Sequence, residues 1–108
     1  MFSKSNYDNY KVAFEGVNFK TTVWGKNTSL GEFKLKKDSI IPSHKHPHEQ
    51  TGYLVSGSMK FFIDKQEFIA EPGDSWNILG NVEHGVEVLE DTVVIEVFSP
   101  VREEYLPE

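Results

Sequence analysis

The chain has 108 residues, 38% of them hydrophobic and 26% charged, no cysteine, and a formal net charge of −6. These totals exclude a disulfide framework or thiolate metal site, a membrane-spanning helix of ~20 apolar residues, and the clustered Lys/Arg of a nucleic-acid binder, since Lys34, Lys36 and Lys37 are flanked by Glu32 and Asp38. A single domain over residues 1–108 is expected from the length, and cytoplasmic residence from a start, Met1 to Asp8, without the apolar stretch of a signal peptide.

From the N-terminus onward the hydrophobic period is two. Tyr10, Val12 and Phe14 alternate with Lys11, Ala13 and Glu15, then Val17, Phe19, Thr21 and Val23 with Asn18, Lys20 and Thr22. Gly31, Phe33 and Leu35 alternate with Glu32, Lys34 and Lys36. Each pattern predicts a half-buried strand. Turn signals recur at Gly25-Lys26-Asn27, Lys37-Asp38-Ser39, Gly57-Ser58, Asp64-Lys65, Pro72-Gly73-Asp74, Gly80-Asn81 and Glu90-Asp91. Between the later turns, strands are expected near 51–56, 59–63, 66–70, 75–79, 84–89 and 92–98. About nine or ten short strands with no helical period predict an all-β sandwich or barrel. Residues 92–98, Thr-Val-Val-Ile-Glu-Val-Phe, are apolar on both faces apart from Glu96. Such a strand has a second layer or a second subunit against it, and a homodimer is expected. Exchange of the N-terminal strand, residues 10–16, onto a neighbour's edge would hide two open edges at once.

The segment richest in chemistry is Pro42-Ser43-His44-Lys45-His46-Pro47-His48-Glu49-Gln50. On an extended strand, residues two apart leave the same face with origins about 6–7 Å apart. Two imidazoles so placed can converge on one ion at roughly 2.0–2.1 Å. Two histidines at this spacing are as readily solvated, so the pair alone decides nothing. After Pro47 the backbone turns, which makes His48 and Glu49 rim residues.

The wider spacing resembles the cupin superfamily, whose first motif is Gly, five residues, His-x-His, three or four residues, Glu, six residues, Gly. Here the order is Asp38, five residues, His44-x-His46, three residues, Gln50, six residues, Gly57. The second motif, Gly, five residues, Pro-x-Gly, two residues, His, is matched by Gly73, five residues, Leu79-x-Asn81, two residues, His84. Asp38 and Asn81 stand in for glycines but accept left-handed turn geometry better than most residues. The resemblance implies an antiparallel double-stranded β-helix, the jelly-roll barrel. It also implies one divalent transition-metal ion (Zn, Ni, Mn or Fe) held by His44, His46, Gln50 and His84. The alternative for Gln50 is an ordinary strand residue, with water completing the shell. As a ligand, a neutral amide leaves the ion its full +2 charge, where a carboxylate would cancel part of it and strengthen the likeness to two-His, one-carboxylate iron oxygenases.

Val94, Glu96 and Phe98 share one face of the last strand. If that face lines the barrel, Glu96 is a carboxyl group in an apolar cavity, suited to moving protons. If Val93, Ile95 and Val97 are the buried set, Glu96 faces solvent. Arg102, past Ser99-Pro100, either folds over the barrel mouth, where its planar fork suits a carboxylate, or pairs at the surface with Glu103 or Glu104. The run His-x-His-Pro-His-Glu-Gln, the Asn-x-Glu-His of the second motif and the ending Val-Phe-Ser-Pro-x-Arg-Glu are similar to the small cupins of pectin and alginate breakdown, which convert 4,5-unsaturated monouronates to linear keto sugars. That resemblance implies Glu96, Phe98 and Arg102 as the residues acting on a small anionic sugar. Glu96 is one methylene longer than the Asp of that family. A non-catalytic sugar-binding or sensing module and an iron-dependent oxygenase are the competing readings.

Overall fold

A computed structural model describes residues 1–107 of the chain. The chain forms ten strands, β1 (Lys11–Phe14), β2 (Val17–Trp24), β3 (Ser29–Leu35), β4 (Ile40–His44), β5 (Glu49–Ser56), β6 (Met59–Ile63), β7 (Gln66–Ala70), β8 (Ser75–Ile78), β9 (His84–Val88) and β10 (Thr92–Ser99), with burial alternating most clearly along β2, β3, β5 and β10. A single 3₁₀ turn, Glu103–Tyr105, follows. No helix among the described residues is long and apolar enough to cross a membrane. The strands form two antiparallel sheets, one ordered β1-β2-β3-β10-β5-β8 and the other β4-β9-β6-β7. Their inner faces meet in a core that includes Val17, Phe19, Phe33, Leu54, Met59, Phe61, Ile78 and Val88. This is the jelly-roll barrel that the cupin resemblance implies, and one of the two all-β architectures that the strand pattern predicts.

Strand β10 lies between β3 and β5 in the larger sheet. Thr92, Val94, Glu96 and Phe98 point inward and are buried, while Val93, Ile95 and Val97 face out. The apolar outer set is therefore only partly covered. Ile95 is 37% exposed and its cross-strand neighbour Tyr53 is 50% exposed, so within one chain β10 is buried on one face rather than two. The expectation for the first strand needs a larger correction. Val12 is 71% exposed, and Lys11 and Ala13 are the more buried pair. A register shift between Val12 and Phe14 offsets β1 from β2, and β1 is a sheet edge, so little lies against its apolar residues. Alternation alone does not say which parity faces the core at an edge.

The turn positions of both motifs take the backbone geometry that the residue types suggest. Asp38 (φ +71°) and Asn81 (φ +65°) occupy the left-handed region, as do Gly57 (φ +96°) and Gly73 (φ +92°). At Gly57 the constraint is doubled, because a Cβ there would lie 2.3 Å from the Asp91 carbonyl oxygen and 2.6 Å from the Thr92 Cα. At Gly73 nothing lies within 4 Å. Substitution to alanine at Gly73 is expected to cost the ~1–2 kcal/mol of a left-handed residue, and at Gly57 a further ~1–3 kcal/mol of overpacking. Urea unfolding of the two variants checks the order, which is wrong if Gly73→Ala is the more damaging.

Candidate metal centre

His44, His46 and His84 reach one point by three different routes. In the pairing of β4 with β9, Ile41 faces Val86 and His44 faces His84. Three residues on β4 thus span two on β9, a bulge that inverts side-chain parity between Ile41 and His44. Without it His44 would leave the barrel on the face opposite to Ile41. With it, both line the cavity. His46 lies beyond the end of β4, in the connection 45–48, so it owes its direction to a loop and not to the two-residue spacing on a strand. That loop is tied down by Asn81, whose backbone N–H donates to the His46 carbonyl at 2.7 Å. The left-handed Asn81 of the second motif thereby positions a histidine of the first. His84 enters at the start of β9.

The three rings present ligand nitrogens that all lie within 4.8 Å of one another. Each Nδ1 donates to a nearby backbone carbonyl: His44 to Pro42 at 2.9 Å, His46 to His48 at 3.0 Å and His84 to Val82 at 2.8 Å. A ring that donates through Nδ1 carries its lone pair on Nε2 when neutral, the orientation in which metal-binding histidines are held. Burial, helped by Arg102 and by His84, lowers the His46 pKa to about 4, and burial also lowers that of His84. Both rings are neutral near pH 7.

Gln50, inward-facing at the start of β5, brings its Oε1 to 2.9 Å from His46 Nε2. With Nδ1 of that ring donating elsewhere, two lone pairs face each other at this distance, a repulsive arrangement unless a cation draws both. Ligands at 2.0–2.2 Å from one ion and about a right angle apart are separated by roughly this much. The donor set therefore fits a divalent transition-metal ion, which His44, His46, Gln50 and His84 can hold together. His48 stays outside the cluster, and its Nδ1 is buried without a partner. Glu49 faces outward and accepts from Asn77 at 2.9 Å.

The same cavity, about 540 Å³ counting its open mouth, is lined at one side by Glu96, Phe98 and Arg102. Glu96 is 6% exposed. Burial raises its pKa to about 8, partly offset by hydrogen bonds from Trp76 and Gln50 and by the charge of Arg102. A bound cation would pull it down again. Both alternatives for Arg102 hold at once. Its side chain is 13% exposed and pairs with Glu104 at 3.1 Å, and its guanidinium still lines the cavity, 3.9 Å from the Tyr105 ring centre and 5.0 Å from that of Phe98. Tyr105, which the sequence pattern does not single out, packs in turn on Phe19 at 4.2 Å and lets its backbone carbonyl accept from Thr21 at 2.8 Å. The tail is thus pinned across the barrel mouth.

A jelly-roll barrel with a histidine cluster at one end, spaced over two motifs, defines a cupin, and the chain belongs to the cupin family: the family described as Cupin domain matches residues 31–99. Among characterised relatives, the pectin degradation protein KdgF of Dickeya dadantii (strain 3937) is 32% identical over 94 residues, which cover 85% of this chain and 86% of that one. The solved structure of KdgF from Halomonas sp. superposes with a TM-score of 0.91 at 25% identity, covering 98% of each chain. An RmlC-like cupin from Shewanella frigidimarina NCIMB 400 shares the fold, with a TM-score of 0.86 at 21% identity over 98% of this chain and all of that one.

Purified protein is expected to bind close to one divalent transition-metal ion per chain, with a rise in melting temperature on metal addition. His44→Ala or His84→Ala should weaken binding by at least the 10–100-fold seen for losses outside the ligand shell. Elemental analysis and calorimetric titration with Zn, Ni, Mn and Fe(II) check this. No binding by any of the four removes the metal centre.

Proposed function

We propose that the protein is a metal-dependent isomerase or lyase that opens or tautomerises a small anionic sugar acid of the unsaturated or keto uronate class. The observation that carries this reading is a buried carboxyl group, Glu96, in one cavity with the histidine cluster and with the Arg102 guanidinium at its mouth. Its support from outside the chain is the pectin-degradation name of a relative aligned over most of its length. In this reading His44, His46, Gln50 and His84 hold the ion. When bound, a divalent ion supplies Lewis-acid stabilisation of negative charge developing on a substrate oxygen.

The chain's own groups do the rest. Arg102, held against Tyr105 and Phe98, donates to the substrate carboxylate through its fork, and Phe98 forms the apolar wall beside it. Opening a cyclic 4,5-unsaturated uronate removes a proton from the anomeric hydroxyl, breaks the bond between the anomeric carbon and the ring oxygen, and returns a proton to the alkene carbon, so the product is an isomer. In this reading Glu96, a carboxyl group buried in the same cavity, exchanges that proton, a role that typically contributes 10²–10⁴-fold.

Glu96→Gln should lower kcat by about 10²–10⁴-fold with metal content intact, because the amide fills the same space and cannot exchange protons. Arg102→Ala should mainly raise KM if its clamp acts equally in ground and transition states. The assay is the fall in ultraviolet absorbance of the conjugated alkene in 4,5-unsaturated monouronates. No turnover with any metal, together with millimolar or weaker binding of every uronate, would favour a sensing module, and oxygen consumption with Fe(II) an oxygenase.

We infer also that the chain is a homodimer through the outer face of the larger sheet. Ile95, Tyr53 and Val55 are adjacent and open there, and an isologous pair would cover them. Light scattering at micromolar concentration is expected to give twice the chain mass, lowered by Ile95→Lys. A mass of one chain overturns the inference.

A further inference from the structure

Across the inner face of the larger sheet, one row of cross-strand neighbours contains the site's carboxyl group. Glu96 of β10 lies opposite Gly31 of β3 and Gly52 of β5, and Gly52 lies opposite Trp76 of β8. Glu96 is thus flanked on both sides by residues without a side chain. Through the space at Gly52 the Trp76 indole reaches across a whole strand, and its Nε1–H donates to Glu96, 3.1 Å from Oε1 and 3.3 Å from Oε2. A Cβ at Gly52 would lie 2.2 Å from the indole nitrogen and 2.5 Å from Glu96 Oε2. Any other residue there would separate the two groups.

The pairing is specific in chemistry as well as in space. An indole is a donor only, so it can satisfy the oxygens of the carboxyl group and offers nothing to a hydrogen-bond donor in its place. A Glu side chain is long and rotatable, whereas Trp76 is rigid and its ring is held edge-on against Phe61, 5.0 Å between centres. We propose that Trp76 is a positioning residue that holds the Glu96 carboxyl in the cavity, and that Gly52 is the gap which allows it to do so. The kinetic consequence rests on the proposed role of Glu96 in proton exchange, whereas the contact itself does not.

The test separates the two. The chain has two tryptophans, Trp24 and Trp76, so a nitrogen–proton correlation spectrum shows two indole signals, and Trp76→Phe assigns one by deletion. In Glu96→Gln the Trp76 signal should move and the Trp24 signal stay. An unmoved Trp76 signal overturns the proposal whether or not any uronate is turned over. For the active protein, Trp76→Phe should lower kcat about 10–100-fold, with KM little changed and metal content intact. In the Glu96→Gln background it should have no further effect, because both changes act through one carboxyl group. A loss that multiplies in full with that of Glu96→Gln is the mark of general loosening and overturns positioning. Gly52→Ala severs the same contact from the strand between the two residues and should reproduce the Trp76→Phe result, so either variant that folds decides the matter.

Discussion

Three imidazole nitrogens cannot stand within 4.8 Å of one another at no cost. Protonated rings repel as charges, and neutral rings repel as lone pairs unless something positive lies between them. The barrel meets the first difficulty by burial, which holds His46 and His84 neutral. It meets the second by tying every Nδ1 to a backbone carbonyl, so that the free lone pairs all converge. The local geometry serves that convergence: the bulge in β4 that turns His44 inward, and the left-handed Asn81 that clasps the loop of His46. Rigid ties of this kind hold the three rings in an arrangement compatible with a metal ion, and pre-organisation of a site is what outer-shell contacts contribute.

The carboxyl group of the cavity imposes a second constraint, and it bears on Gln50. A hydrogen bond from Gln50 lowers the pKa of Glu96, while the amide oxygen faces His46. A carboxylate at position 50 would set two acids against each other in one buried space, and one of them would have to stay protonated. The neutral amide avoids this conflict, donating to Glu96 and keeping an oxygen free for the histidine side. The departure from the usual cupin Glu therefore has a local electrostatic reason. Gly52 belongs to the same design, since a Cβ there would lie 2.5 Å from Glu96 Oε2.

Much of the barrel was legible from the sequence because period-two burial follows from the pleat itself. β2, β3, β5, β6 and β10 bury their alternate residues as the pattern predicts, and turns fall at the Gly, Asn and Asp positions. Edges are less legible, because a strand with one neighbour and no layer over it has no packing to choose its parity. That is why Val12 lies open. The histidines that the spacing from Asp38 to His84 singles out cluster in the structure for a reason that differs from strand alternation. His44 and His46 converge through a bulge and a loop, features whose parity no two-residue rule predicts.

By itself the sequence determined an all-β sandwich or barrel of short strands with turns at its Gly, Asn and Asp positions, and its cupin-like spacing singled out His44, His46 and His84, while both faces of β10 and both placements of Arg102 stayed open. It could do so because strand periodicity and left-handed turn chemistry are local properties of the chain. Only the tertiary structure decided that Glu96 is buried, that Arg102 lines the cavity and pairs with Glu104 at once, that Tyr105 lines the same cavity, and that Trp76 donates to Glu96. Those choices depend on which strands become neighbours: Trp76 meets Glu96 only because β8 and β10 flank β5 and Gly52 leaves the gap between them, a contact between residues twenty positions apart for which no periodicity exists.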